Sequence, residues 1–195
     1  MAIAAFTGHI AGLGTTSGTR IVLGLWDDSP FGPVADAMVE DAGGHRTLVA
    51  PSDELAHFIA STYTFDEVLV EPVVRRGWSV RSEHLQVALE PGPTTLVGRL
   101  LGVVPRRVGR TRTWARLVDP VARVVMPGVR THGTAGNGRT EWYGARGVRR
   151  LEATTATWRG VDLGPLVPVD PPVHFGFASA PRTPSLTALT SYVTI

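Results

Sequence analysis

The chain has 195 residues, 43% of them apolar, with a net charge of +2; this suits one globular domain, and no apolar run is long enough for a membrane-spanning helix. It contains no cysteine and no lysine, which excludes disulfides, thiolate catalysis, cysteine-held metals, side-chain Schiff bases and lysine general bases. Charge is uneven: residues 1–90 hold twelve acids against five arginines, a net of −7, and residues 91–195 hold fourteen arginines against five acids, a net of +9. Either the two halves fold against each other with charges dispersed, or the second half presents a basic face to an anionic partner.

The opening residues MAIAAFTGHIAG carry no basic segment and no cleavage pattern, so they read as a first strand rather than a leader, and the expected location is cytoplasmic. Ala2–Thr16 and Ser17–Trp26 read as two strands joined by a Gly/Ser/Thr turn, with glycines dense enough for strong curvature. Arg20, Val22, Gly24 and Trp26 share one face of the second strand. A turn at DDSPFGP precedes the strand Val34–Asp41; AGGH closes a hairpin, and His45–Ala50 returns. Ser52 or Asp53 caps a helix whose apolar stripe is Leu55, Phe58 and Ile59 and which ends near Thr62–Thr64. Phe65–Pro72, Gly77–Ser82 and His84–Glu90 read as strands, and Pro91-Gly92-Pro93 breaks the pattern.

Thr94–Val104 is apolar with one arginine and fits a helix or a buried strand. Arg106–Met126 has helical spacing through Trp114, Leu117, Val121 and Val124 or Val125. Pro120 predicts a kink or a division into two helices, and Pro127-Gly128 a stop. A glycine-rich turn (Gly133, Gly136, Gly138) leads into Arg139–Gly144, and a second run covers Val148–Trp158. In that second run Leu151, Ala153, Thr155 and Thr157 are expected opposite Arg150, Glu152, Thr154, Ala156 and Trp158. A proline-rich connection, Gly160–Pro172, precedes the strands Val173–Ala180 and Leu186–Ile195. The sum is roughly ten strands and two to three helices without βαβ alternation. The expected fold is mainly β: one antiparallel domain over 1–195, a closed or half-closed barrel with a helical insertion at about 94–127.

Familiar signatures are missing. GLGTTSG has no P-loop spacing, GTAGNG is followed by a strand where a dinucleotide site needs a helix, no serine sits in a GxSxG elbow, and the six histidines are scattered. No cofactor or metal is implied. The arginines of 99–123 have only Trp114 among them, which argues against nucleic acid; they suit a solvated helical face or a membrane surface. Three polar groups remain. Arg139, Glu141 and Tyr143 share a strand face and offer an anion anchor, an acid–base carboxylate and a phenol, or simply a surface ion pair beside a tyrosine. Asp36 and Glu40 point inward if Val34 and Met38 mark the interior, and outward if Ala35, Ala37 and Val39 do. His174 is expected on the face opposite the core residues Phe175 and Phe177.

The glycine-rich opening pair, SPFGPVADAMVE, TYTFDEV and GNGRTEWYGA together resemble an uncharacterised protein family of high-GC bacteria, over nearly the whole chain. More distantly, many curved strands around a mid-chain helical insertion are similar to acetoacetate decarboxylase-like β-barrels. That resemblance implies a barrel with a small-molecule pocket but not the decarboxylase mechanism, which needs a lysine. The first functional expectation is a binder of a hydrophobic or anionic small molecule in the barrel, with Arg20, Arg139, Glu40 and Trp142 as ligand contacts. The second is a cofactor-free acid–base enzyme with Glu141 or Asp36 as base and Tyr143 as acid. The third is peripheral membrane binding through the arginine-rich helices.

Overall fold

The computed structural model describes residues 2–125, 129–134, 138–176 and 180–195. Gly136, the Pro127-Gly128 stop and Phe177 lie outside the described residues, as do the side chains of Arg106, Arg123, Val124 and Val125. Among these residues thirteen strands join one sheet: β1 (Ile3–Thr15), β2 (Arg20–Asp28), β3 (Val34–Glu40), β4 (Arg46–Ala50), β5 (Glu67–Val70), β6 (Val74–Arg76), β7 (Ser79–Arg81), β8 (Leu85–Thr94), β9 (His132–Thr134), β10 (Thr140–Trp158), β11 (Val161–Asp162), β12 (Leu166–Val167) and β13 (Ser185–Thr194). The main order is β5-β4-β3-β2-β1-β13-β10-β8-β7-β6. The sheet is mainly antiparallel, curled into a half-barrel. One feature departs from the expectation: β4 and β5 are parallel, linked through helix α1 (Asp53–Ala60), so the sheet does contain one βαβ crossover.

The curl encloses one core. Leu23, Leu25, Ala35, Ala37 and Val39 of β2 and β3 meet Val80, Leu85, Val87 and Leu89 of β7 and β8, and Leu151 and Ala156 of β10. The opposite face of β1, β2, β3 and β13 carries a second core of Phe6, Val22, Trp26, Met38 and Leu189, covered by Leu55, Ala56 and Ile59 of α1. Both faces of the central strands are therefore dry. All of Ala35–Glu40 is buried, so the choice between an inward and an outward face for Asp36 and Glu40 does not arise.

Helix α1 starts as expected, with Ser52 Oγ accepting from Leu55 N at 3.3 Å and Asp53 and Glu54 in its first turn. Residues 94–104 resolve to a helix, α2 (Leu96–Val103), because Thr95 caps Gly98 N at 3.0 Å. The longer helical stretch divides at Thr111, not at Pro120. Thr111 Oγ1 accepts from Trp114 N and separates α3 (Arg106–Gly109) from α4 (Arg112–Val125), and Pro120 stands inside α4.

Strand β8 does not stop at Pro91-Gly92-Pro93. It runs to Thr94, paired with β10 through two register shifts, and the Arg149 guanidinium donates to the carbonyls of Pro91 and Gly92. The two runs read around Gly144–Val148 are one strand of 19 residues, β10, with a bulge between Ala145 and Gly147. Further bulges around Leu151 break the alternation, so Leu151 and Ala156, expected on opposite faces, share one core. Residues 173–176 are not a strand; Phe175 is nevertheless fully buried.

Residues 95–131 leave the sheet where Thr94 pairs Arg149 and return where His132 pairs Trp142. Between those points β10 has no neighbouring strand on that edge among the described residues, and the insertion bonds it at both ends of the gap. Thr95 N and Oγ1 donate to Val148 O, and Tyr143 N donates to Thr131 O. Gly98 permits this seat: a Cβ there would lie 2.5 Å from both N and O of Val148. Helix propensity alone predicts that Gly98→Ala stabilises by about 1 kcal/mol. The close approach reverses the sign: we expect destabilisation of about 1–3 kcal/mol, read as a lowered Tm and denaturation midpoint.

Candidate functional site

A cavity of about 380 Å³ lies between the second face of the sheet and the helices, not inside the curl. Its floor is built by β1, β2, β3, β13 and β10, through residues such as Ile10, Val22, Leu189 and Ala145. Its roof is the end of α1 with α2 and α4, through Phe58, Val97, Leu101, Trp114 and Val118. The lining is overwhelmingly apolar, with two buried carboxyl groups, Asp36 and Glu141, set into the floor.

Asp36 Oδ2 accepts a 2.8 Å hydrogen bond from Trp26 Nε1, its one hydrogen bond among the described residues. Gly24, directly across from Asp36, makes room for this pair: a Cβ there would sit 2.4 Å from Asp36 Oδ2 and 2.5 Å from Trp26 Nε1. Burial raises the Asp36 carboxyl to about 6, and the indole N–H opposes that shift.

Glu141 sits in a phenol-lined corner. Tyr63 Oη donates to Oε2 at 2.6 Å and Ser191 Oγ to Oε1 at 2.8 Å, and Tyr143 completes the cluster within hydrogen-bonding reach of Tyr63 and Glu141. Desolvation raises the Glu141 carboxyl despite these donors. Burial, then the nearby carboxylate, lifts both phenols well above their ordinary value, so they remain protonated donors. The two carboxyls do not form a dyad. Asp36 lies in one register row with Gly24, Ile10, Thr187 and Val148, so β3 and β10 stand four strand spacings apart, about 19 Å across a flat sheet.

The remaining residues singled out from the sequence are placed elsewhere. Arg139 sits beside the cavity's α1 wall: Nη1 donates to Ser61 Oγ at 2.8 Å and Thr62 Oγ1 at 3.0 Å, and the guanidinium lies 5.0 Å over the Phe58 ring. Trp142 faces away from the cavity, because it alternates with Glu141 and Tyr143; it stacks on Tyr192 and donates to Arg110 O. Arg20 and Glu40 do not line the cavity. They form a buried pair at 3.1 Å, and Glu40 also accepts from His174 N and meets His174 Nδ1 at 2.9 Å. This cluster fastens residues 173–176 to the sheet, and Arg20 and Glu40, expected from the sequence as ligand contacts, stand outside the cavity lining. Tyr63, Ser191 and Trp26 were not nominated from the sequence as site residues. Trp26 had a signal, its place on the Val22–Gly24 face; Tyr63 and Ser191 reach Glu141 across 78 and 50 residues of chain and had none.

No protein-family model and no curated protein matches this chain. Among solved structures, the crystal structure of an AttH candidate from Nitrosomonas europaea aligns at 12% identity with a TM-score of 0.24. The alignment covers 98% of this chain, which spans half the length of that one. At that TM-score the likeness carries no argument about fold or function.

Two stability measurements check this geometry. The folded state keeps the Asp36 proton to about 6 against an ordinary 3.8, so its contribution to stability falls as pH rises through that window. Above the window the ionised group costs about 3 kcal/mol. Asp36→Asn keeps an acceptor for Trp26 and removes that cost: the variant should melt higher than wild type at pH 7, and the gap should close by about pH 4. Glu40→Ala leaves Arg20 buried without its partner and should lower stability by about 3–5 kcal/mol, seen as a shifted urea midpoint.

Proposed function

We propose that this protein binds a mostly apolar small molecule in the cavity between the sheet and the helices. The observation that carries the reading is the cavity itself, about 380 Å³ lined mainly by apolar side chains with a few polar groups among them. Ligand pockets characteristically combine such volume with a small number of converging polar groups. Of the hydrophobic and anionic ligands expected from the sequence, the hydrophobic one is favoured. The deep groups are two carboxyls, which oppose an anion, whereas Arg130 and Arg139 offer positive charge towards the margin. A ligand hydroxyl or carbonyl can meet Asp36 at one side of the floor and the Tyr63–Glu141–Tyr143 cluster at the other. Kinship with acetoacetate decarboxylase-like barrels would agree with a small-molecule pocket, and the missing lysine keeps the decarboxylase mechanism out.

A second reading, cofactor-free acid–base catalysis in the same cavity, has one observation in its favour. A carboxyl held near 6 beside an apolar cavity can take and return a proton around neutral pH. Asp36 is then the base, and the raised phenols of Tyr63 and Tyr143 hold a substrate oxygen.

Binding is tested with two fluorophores of similar size, neutral N-phenylnaphthylamine and anionic anilinonaphthalene sulfonate, alongside native mass spectrometry of the purified protein. The neutral probe should bind more tightly. Ala145→Trp places an indole in the cavity and should weaken binding at least about tenfold, or about 1.4 kcal/mol, while the circular dichroism spectrum is unchanged. Equal affinity of wild type and Ala145→Trp would sink the proposal. Loss of turnover in Asp36→Asn with probe affinity retained would select the catalytic reading.

A further inference from the structure

We propose that the helical insertion is a membrane-docking cap, which lays α2 and α4 on an anionic lipid bilayer and opens the cavity towards its acyl chains. The docking stands by itself; the delivery of an apolar ligand through the cap rests on the binding function proposed above.

Helix α2 is apolar on two faces. Val97, Leu101 and Val104 line the cavity, at positions i, i+4 and i+7. Leu96, Leu100 and Val103 repeat that spacing one position earlier and face solvent; Leu96 is 74% and Val103 80% exposed. Helix α4 does the same, with Trp114 and Val118 turned to the cavity and Leu117, 70% exposed, turned out beside Val121. Leu100 and Val121 are both exposed and cavity-lining, so the outer apolar surface and the cavity wall are continuous between these helices. Exposed apolar side chains gathered on one pair of helices, continuous with a cavity, mark a contact site.

The charges around it select the partner. Arg99, Arg107, Arg110, Arg112 and Arg116 are all exposed, and none forms an ion pair with a carboxylate among the described residues. Asp119, the single acid of residues 95–131, is buried and accepts from Thr131 N and Oγ1. The outer surface of the cap thus presents apolar side chains and positive charge with no exposed acid. A second copy of this cap would bring like charges together. An anionic bilayer offers phosphates to the guanidinium heads and acyl chains to the leucines and valines, while arginine stems lie along the apolar surface.

The test is co-sedimentation of the full chain with vesicles of phosphatidylcholine alone or mixed with phosphatidylglycerol. We expect at least about tenfold stronger partition onto the anionic vesicles at low salt, largely lost at about 0.5 M salt. Val103→Asp with Leu117→Asp should abolish partition, and Arg99→Glu with Arg107→Glu should remove the preference for anionic lipid. Neither pair lines the cavity, so both should keep wild-type Tm and N-phenylnaphthylamine affinity. Equal partition onto both vesicle types, none onto either, or unchanged partition of the variants overturns the proposal. So does an analytical ultracentrifugation result in which wild type is a dimer and Val103→Asp with Leu117→Asp a monomer. Ala145→Trp separates the two ideas: it should bind vesicles normally while failing to take probe. Normal probe uptake by that variant would sink the cavity reading and leave the docking intact.

Discussion

The fold depends on satisfying the backbone of one strand. β10 is 19 residues long, and β13 follows only its first half while β8 follows only its second. On the other edge β9 covers residues 140–142, which leaves 143–148 without a strand neighbour among the described residues. Buried amides and carbonyls there cannot go unpaired. The insertion fills the gap with Thr95 and Thr131, and Gly98 brings a helix against the bare backbone. The helices are therefore placed by a hydrogen-bonding requirement at the sheet edge. Because α2 is pinned there by its first turn, its remaining turns and α4 project over the sheet face, and the space beneath them is the cavity.

That space is dry, and its polar groups are held at a cost. Leucine at position 141 and valine at position 36 would suit the surrounding core better than two carboxyls raised by desolvation. Stability does not explain them. The Arg20–Glu40–His174 cluster makes a useful contrast. There a buried carboxylate meets a guanidinium and a backbone amide, and its partners tie a segment of chain to the sheet. Glu40 is accounted for by its partners; Asp36, with one neutral donor, is not. The difference lies in the environments of two acids four residues apart on one strand face, and it directs attention to the cavity end of that face.

Alternation made most strands legible in the sequence, as did the hairpin turns and the Ser52 cap. It failed where bulges intervened: Leu151 and Ala156 differ in parity yet share a core, and β8 continued through a proline pair because β10 bulged to meet it. The face of Asp36 was undecidable for a related reason. Alternation encodes one wet and one dry side, and β3 has two dry sides. Glu141 and Tyr143 share a face for local reasons, so their proximity could be read directly. Their companions Tyr63 and Ser191 arrive through α1 and β13, and nothing in the local pattern of either segment anticipates that meeting. Arg20 was expected to contact a ligand; its guanidinium meets Glu40 instead, across the β2–β3 register.

The charge imbalance between the halves is resolved only in part by pairing. Arg159 joins Glu67 across the two halves, but Arg46 meets Asp66, and Arg75 meets Asp27, within the acidic half. Arg182 meets Asp170 within the basic one. Among the described residues, folding the halves together has thus not spread the positive surplus over the acids of residues 1–90. The insertion's exposed arginines stay at the surface, on the same helices whose inner faces close the cavity. Random dispersal would have mixed acids among them. Their segregation beside outward-facing leucines and valines is what a surface needs if it must be attracted to negative charge and still bury apolar side chains on arrival. The one structural requirement, a capped edge on β10, therefore sets both the cavity and the character of the surface above it.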